Sequence, residues 1–299
     1  MRVSRKVDGV SLLSFLKDKF GGLSVSYLKY RISRGDVLVC GRSAETSHQL
    51  KEGDTVEILF RRDKPVISAC SRPVQVIFED EFIIAVDKPP KVASHPACGN
   101  YSETLVNMLM GYFGIESIVL GGKESMGFGL VNRLDRDTSG ILLVARAPGV
   151  HRVFQEQFAE MSVEKEYLAI TEGVPGWVKK TVSLPLKPDG EKRAVMRAHP
   201  AGKEALTRLE LLEAFDGRSI IRAIPVTGRR HQVRAHMASA GLPIAGDILY
   251  GGRLNPGCGI ERVMLHCRSL GFRHPRSGRK MRLSAEPAED MKRVLEGLS

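Results

Sequence analysis

The stretch NRLDRDTSG, at positions 132–140, lies between two apolar runs, GLV at 129–131 and ILLV at 141–144. Short apolar runs of this kind are typical of buried strands. An ionisable cluster between two such runs must pass through or beside a core. Burying a carboxylate there costs several kcal/mol unless a partner charge compensates it. The sequence therefore indicates a chemical role for this cluster.

The composition is that of a soluble globular enzyme, with 42% hydrophobic and 26% charged residues in a chain of 299. That length allows one large domain and one small one. No apolar run approaches the roughly 20 residues that span a bilayer. The N-terminus also lacks the apolar stretch of a signal peptide. We therefore expect a cytoplasmic protein with no membrane partner.

The net charge of +11 is unevenly distributed. Residues 222–234 contribute +4 and residues 261–282 contribute +6, mostly through arginine. Planar guanidinium groups suit bidentate contact with phosphates. A basic surface can also serve solubility alone, but its concentration in two segments favours a face that follows a phosphate backbone. Nucleic acid is therefore the leading partner on charge.

Several familiar sites are absent from the sequence. The five cysteines are scattered without a Cys-x-x-Cys pair, which argues against a zinc site and against a disulfide framework. His231 and His236 lack the spacing and glutamate of a zinc-protease helix. The chain has no Walker phosphate loop, and GFG at 127–129 lacks the third glycine of a dinucleotide site. Asp135 and Asp137 show no sign of a glycosidase acid/base pair, and Asp137 fits a turn residue. We expect neither a metal nor a cofactor.

The first sixty residues predict a separate module. Apolar residues recur at helical spacing over 12–20 and again over 25–32, and short strands are predicted at 37–39 and 56–58. Gly35 stands where a helix C-terminal cap belongs. Residues 61–73 are rich in proline and charge and are predicted to form a linker.

Residues 74–299 predict a larger domain of mixed α+β class. Its strands are predicted at 74–78, 82–86, 167–170, 206–212 and 219–226. Its helices are predicted at 150–160 and in the segment that follows 227–228 and ends at 241–243.

Several further motifs follow one another in order. They are DKPP at 87–90 with HP at 95–96, RLDRDTSG at 133–140, KEYLA at 165–169, TGRRHQVRAH at 227–236, GD at 246–247 with YG at 250–251, and LHC at 265–267 with Leu270. Together they resemble the RluA/RluC/RluD family of RNA pseudouridine synthases over about residues 74–290. The N-terminal module resembles the alpha-L RNA-binding motif. The resemblance implies an α+β pseudouridine synthase fold, with a mixed, largely antiparallel bent sheet flanked by helices and loops, and a small N-terminal α/β RNA-binding domain.

The resemblance also implies roles for individual residues. Asp135 would attack the uridine nucleotide and begin cleavage of the base–sugar bond, after which the base is rejoined through carbon 5. Arg234 would form its salt bridge, Tyr167 would stack on the base and help with proton transfer, and Arg133 would fill the gap that the flipped base leaves. The other residues expected to bind RNA are Lys88, Arg229, Arg230, His231 and Gln232, with Lys29, Arg31 and Arg34 in the N-terminal module.

One position departs from the family pattern. Asn132 stands where histidine usually precedes the signature arginine, and asparagine cannot titrate. We expect this position only to place the loop. The resemblance implies an enzyme without metal or cofactor that acts on large-subunit ribosomal RNA. Because no long apolar surface helix suggests an obligate dimer, we expect a monomer. Two alternatives stay open: the same chemistry on transfer RNA, and a catalytically silent RNA-binding ribosome-assembly factor. Intact Asp135, Tyr167 and Arg234 argue against the silent factor.

Overall fold

A computed structural model describes residues 1–20, 25–59, 66–96, 100–119, 129–190 and 195–298. The chain divides into two compact units. The first comprises Met1–Pro73 and His95–Phe128, and the second comprises Val74–Ser94 and Gly129–Ser299. Residues 95–128 thus group with the N-terminal segment, whereas the sequence analysis placed them within a domain of residues 74–299.

The N-terminal part of the first unit has the predicted helices and strands. Helices α1 (Leu12–Lys19) and α2 (Val25–Ser33) precede β1 (Val37–Val39), β2 (Arg42–Ser43) and β3 (Val56–Ile58). The strands form an antiparallel sheet in the order β2-β1-β3. Leu12, Leu16, Leu28 and Ile32 are buried in one core, as their helical spacing requires. Gly35 has a φ of 74°, the left-handed conformation of a helix cap.

The rest of the first unit was not foreseen. Strand β4 (Val66–Ser68) pairs antiparallel with β7 (Ser117–Val119), and helix α3 (Leu105–Tyr112) lies between them in sequence. Asn107 of α3 donates to the Ser68 carbonyl over 2.6 Å, which ties the helix to β4. Part of the predicted linker is therefore a strand, while its residues 61–65 lie outside the described residues.

The second unit is built on a mixed sheet. In the described ranges, nine strands take the order β10-β13-β14-β9-β15-β8-β6-β5, with β16 paired to β15. The β15–β8 pair is parallel and the other neighbours are antiparallel, which confirms the predicted α+β class and its largely antiparallel sheet. The strand bounds are β5 Gln75–Glu79, β6 Ile83–Lys88, β8 Ser139–Ala145, β9 Glu164–Glu172, β10 Lys179–Ser183, β13 Leu206–Phe215, β14 Arg218–Pro225, β15 Leu265–Arg273 and β16 Lys280–Ser284.

Strand β8 lies inside this sheet, between β15 and β6, and each of its seven residues is buried. Its near-continuous apolar run is what burial on both faces requires. Gly140 has a φ of 110°, and a side chain at this position would overlap the Cys267 carbonyl oxygen of β15. Glycine is therefore needed where the signature enters the sheet. The apolar run at 129–131 contributes only an isolated bridge between Leu130 and Val144.

Three α-helices complete the described part of the second unit. They are α4 (Pro148–Ala159), α5 (Gln232–Ser239) and α6 (Glu289–Leu298), and a small antiparallel ladder joins β11 (Leu186–Pro188) to β12 (Met196–Ala198). Val233 and Met237 of α5 share a core with Leu209 and Ile221 of the sheet. None of the helices in the described ranges has the length and apolar character needed to cross a bilayer.

Candidate active site

The signature loop leads directly into β8 and is fixed at its start by Asn132. The Asn132 Oδ1 atom accepts from the Leu143 amide over 2.8 Å, and Nδ2 donates to the Ile141 carbonyl over 3.4 Å. A backbone turn follows, in which the Thr138 amide donates to the Asp135 carbonyl over 3.1 Å. Asn132 thus anchors the loop to the strand through contacts that involve no titration, in line with the positioning role expected for it.

Ser94 holds the residue before Asp135 through both backbone groups. Its Oγ donates to the Leu134 carbonyl over 2.7 Å and accepts from the Leu134 amide over 3.2 Å. Ser94 is buried, so these bonds lie away from solvent. A buried hydroxyl that satisfies both groups of one residue fixes the backbone there.

Lys88 holds the residue after Asp135. Its ammonium donates to the carbonyls of Pro89, Val92 and Arg136 at 2.9, 2.8 and 3.1 Å, which satisfies all three of its protons. Burial, reinforced by the charge of Arg262, lowers the pKa of Lys88 to about 7. The side chain is wholly buried. The direct RNA contact expected of Lys88 is therefore wrong, because its ammonium faces backbone rather than solvent.

Arg262 holds the same loop from the other side. It donates to the Asp137 carbonyl over 3.0 Å and forms two bonds, of 2.6 and 2.8 Å, with the carboxylate of Asp290 at the start of α6. Its side chain is 1% exposed. This arginine contributed to the charge of residues 261–282, but it belongs to the interior and supports the loop.

An ion network of three side chains forms the centre of the site. Arg234 donates to Asp135 Oδ2 over 2.9 Å and makes two bonds to Asp247, of 2.7 and 2.8 Å. Although burial opposes it, Asp247 and Asp135 together raise the pKa of Arg234. The expected Asp135–Arg234 contact is thus present. Asp135 itself is 31% exposed and Asp247 is fully buried. The expectation of a buried carboxylate at Asp135 is corrected accordingly.

The imidazole of His231 is a second side-chain group that lies close to the Asp135 carboxylate. It caps α5 in a left-handed conformation with a φ of 51°, and its Nε2 lies 3.7 Å from Asp135 Oδ2. Its Nδ1 shares a hydrogen bond of 3.1 Å with the Tyr250 hydroxyl, and the Arg234 guanidinium lies 5.1 Å from the Tyr250 ring centre. Burial lowers the pKa of His231, and the charge of Arg234 adds to this effect although the Asp135 carboxylate opposes it. The balance favours the neutral imidazole.

Gln232 is a structural residue, which corrects its predicted contact with RNA. Its Nε2 donates to the Leu206 carbonyl and to Thr207 Oγ1, both at 3.0 Å. Its Oε1 accepts from Thr227 Oγ1 at 2.6 Å and from the Arg229 amide at 3.0 Å. The residue is 4% exposed, and its amide atoms are committed to holding α5 against β13.

Tyr167 lies on β9, where its neighbours on the adjoining strands are Ala223 and Cys267. Burial raises the pKa of the Tyr167 hydroxyl well above its usual range, and the charges of Cys267 and Asp135 add to the effect. The phenol therefore stays protonated at neutral pH.

The remaining candidates are placed as follows. Arg133, Arg229 and Arg230 are exposed in the second unit. In the first unit, Arg34 is exposed, Lys29 is half-buried, and Arg31 forms an ion pair of 2.9 Å with Asp36.

Sequence reasoning gave no role to Asp247, Tyr250, Arg262 or Ser94. The GD and YG motif at 246–251 was a signal for the first two, because it placed an acid and an aromatic side chain after the α5 motif. In the part of the chain that the structure describes, no group of three or more His, Cys, Asp or Glu side chains could hold a metal ion.

Comparison with known proteins gives concordant results. Residues 82–239 match the family described as RNA pseudouridylate synthase. The chain is 34% identical to ribosomal large subunit pseudouridine synthase D of Xanthomonas campestris, over 95% of this chain and 87% of that protein. It is 32% identical to ribosomal large subunit pseudouridine synthase C of Escherichia coli K12, over 97% of this chain and 93% of that protein. Human RNA pseudouridylate synthase domain containing 1 superposes with a TM-score of 0.58 at 26% identity, covering 71% of this chain and 83% of that one.

Proposed function

The chain belongs to the RNA pseudouridylate synthase family, and from this premise we propose that it isomerises specific uridines of large-subunit ribosomal RNA in the cytoplasm, as a monomer. The relatives named for that substrate align with 95% and 97% of the chain. The observation that carries the proposal is the Asp135–Arg234 pair at 2.9 Å, on a loop held by buried side chains. Neither transfer RNA as substrate nor a silent assembly factor has comparable support.

Asp135 is the proposed nucleophile because its carboxylate is both held and accessible. Arg234 binds Oδ2, and within the described residues Oδ1 accepts no hydrogen bond. In the overall reaction the bond from C1′ to N1 breaks and the bond from C1′ to C5 forms. The proton on C5 is lost and N1 gains one, so the reaction balances as an isomerisation. It consumes neither an oxidant nor a second substrate.

Tyr167 is proposed as the stacking platform for the target base. Stacking is worth about 1–3 kcal/mol per base, which is comparable with the few kcal/mol that base flipping costs. Its raised pKa keeps the phenol protonated, so it suits hydrogen-bond donation better than acceptance of a proton. Arg133 is exposed on the signature loop and is proposed to fill the gap that the flipped base leaves.

The substrate is tested by mapping pseudouridine in unmodified RNA with a carbodiimide adduct and primer extension. We expect new stops in large-subunit ribosomal RNA after incubation with the protein and none in transfer RNA. Stops confined to transfer RNA would show that the substrate is wrong. Tight binding without stops on either RNA would favour the assembly factor.

Lys29 of α2 and Arg34, which follows α2 directly, are proposed to contact RNA phosphates. Replacing both with alanine is expected to lower the slope of log Kd against log salt by about 1 to 2, since each lost phosphate contact removes about 0.7–0.9. The rate at saturating RNA should stay within about twofold. Filter binding across a salt series measures the slope. Lys17→Ala, an exposed lysine on α1, is the control. An unchanged slope in the double variant would refute the contact.

Lys88→Met tests whether this lysine positions the loop. Because its ammonium binds the carbonyl of Arg136, its loss should free the loop and lower kcat by about tenfold or more, with RNA affinity and salt slope unchanged. Single-turnover rates and binding curves separate the two effects. Lys91→Met, at a side chain 55% exposed, is the matched control. A shallower salt slope in Lys88→Met, with kcat intact, would instead support the RNA contact first expected of it.

A further inference from the structure

The turn that joins β15 to β16 carries a compact set of positive charges. We define the hairpin tip as residues 273–280, which read RHPRSGRK and contain no acidic residue. Its four cations are all exposed. They are Arg273, Arg276, Arg279 and Lys280. Within the described residues none of these side chains forms an ion pair, so their charges face solvent.

The rest of the charge in residues 261–282 is largely neutralised. Arg262 is buried against Asp290. Arg282 pairs with Glu164 at 2.7 Å and with Glu166 at 3.6 Å. Arg268 of β15 is exposed and forms no ion pair within the described residues. Of the unpaired cations that the second segment presents to solvent, four thus lie at the hairpin tip and one lies on β15.

The tip is fastened to the body of its unit at two points. Gln157 of α4 donates to the Arg273 carbonyl over 2.8 Å and accepts from the Arg273 amide over 2.9 Å. His274 Nε2 bonds to Asp80 Oδ2 at 2.8 Å. On the other side of its ring, Nδ1 accepts from the amides of Arg276 and Ser277 at 3.3 and 3.2 Å, which leaves the proton on Nε2 to be donated to Asp80.

Of the three acidic residues in the turn beside the tip, Glu79 and Asp80 are already engaged, and within the described residues Glu81 forms no ion pair with a tip cation. Glu79 pairs with Arg146 at 2.6 Å. Asp80 accepts hydrogen bonds from His274 and from the backbone amides of Phe82 and Ile83, the latter two both at 2.8 Å. The four cations are thus presented from an anchored turn without local neutralisation, which is how a preorganised phosphate-binding surface is built.

The distance of the tip from the nucleophile follows from the strand register. His266 at the start of β15 pairs with Ser139, which follows the Asp135 loop. Eight residues separate His266 from His274, so at about 3.3 Å per residue the tip lies up to roughly 26 Å along the sheet from that level. A stem that flanks a uridine held at Asp135 therefore has to extend no further than this to reach the tip.

We propose that the hairpin tip is a second RNA-binding surface, which holds the phosphate backbone of the stem that flanks the target uridine. The inference rests on the proposed function for the identity of the bound uridine. Arginine predominates among the tip cations, as bidentate phosphate contact favours. The surface lends affinity and register to long stems and takes no part in the chemistry.

The test uses the triple variant Arg276→Gln, Arg279→Gln and Lys280→Gln in the full chain. Two RNA fragments carry the same modified uridine in the same loop, one on a stem of 4 base pairs and one on a stem of 12. On the long stem we expect the triple variant to lose about 2 to 3 from the salt slope, and about tenfold or more in affinity. On the short stem both quantities should match those of the wild type.

Arg282→Gln is the matched control, because it removes a hairpin charge that Glu164 already neutralises. It should leave the slope on both stems nearly unchanged. An unaltered slope on the long stem, or an equal loss on both stems, would overturn the proposal. If mapping finds no modified uridine, the proposed function fails. The same comparison on stems that carry a loop of seven uridines then still decides whether the tip binds a flanking stem.

Discussion

Asp135→Asn is expected to abolish isomerisation, with kcat lowered by about 10³-fold or more, because the substitution removes the nucleophile. The variant should fold, since the asparagine oxygen still accepts the Arg234 N–H that Asp135 Oδ2 receives at 2.9 Å. RNA affinity should stay within about tenfold, because affinity depends mainly on phosphate contacts elsewhere. Single-turnover rates and filter binding on one RNA measure both quantities.

Arg133→Gln provides the comparison, since this exposed arginine lies on the same loop but outside the ion network. Loss of Arg133 should make base flipping less favourable and so slow the reaction, but turnover should stay measurable. A folded Asp135→Asn protein with turnover near that of the wild type would remove Asp135 from the role of nucleophile.

Asp247→Ala is expected to destabilise the second unit by about 3–5 kcal/mol, because it leaves the Arg234 guanidinium buried with only a partly exposed partner. Asp247 is wholly buried and accepts two of the three hydrogen bonds that Arg234 donates to carboxylates. Urea unfolding followed by circular dichroism gives the free-energy change. A loss below about 1 kcal/mol would show that the network contributes little to folding.

A double variant separates stability from catalysis at the same place. Arg234→Met combined with Asp247→Leu replaces the buried charges with apolar groups of similar size, a change that is often neutral or stabilising. We expect it to recover most of the stability that Asp247→Ala loses and to remain inactive, because Asp135 then has no cation to hold it. Recovery of activity together with stability would show that Arg234 is dispensable for the chemistry.

The apolar pattern of the sequence was sufficient to predict the helices α1, α2 and α4 and the strands β5, β6, β8, β9, β13 and β14. Helical spacing and the apolar run at 141–144 predicted burial correctly, since Leu12, Leu28 and Ile141 are each fully buried. Strand β15 was missed because Arg268 and Gly271 interrupt its apolar residues. The pairing of β15 with β8 and β9 keeps this segment extended despite those two residues, and such pairing depends on strands that are distant in the sequence.

The polar residues were harder to place, because whether a charged side chain faces solvent or the interior depends on partners that are distant in the sequence. Lys88 and Arg262 read as basic surface in the sequence, yet both point inward to backbone carbonyls of the signature loop. Their partners lie 48 and 125 residues away in sequence. No local pattern encodes such contacts. The Asp135–Arg234 pair was found because family resemblance, unlike periodicity, carries information on contacts between distant residues.

The most direct test of the account is carbodiimide mapping of one ribosomal RNA preparation with the wild type, Asp135→Asn and Asp137→Asn. Asp137 is a close control, because it lies two residues from Asp135 and its contact with Arg262 is made by its carbonyl. The account predicts the same stops for the wild type and Asp137→Asn, and none for Asp135→Asn. Stops that persist with Asp135→Asn, or that vanish only with Asp137→Asn, would contradict it.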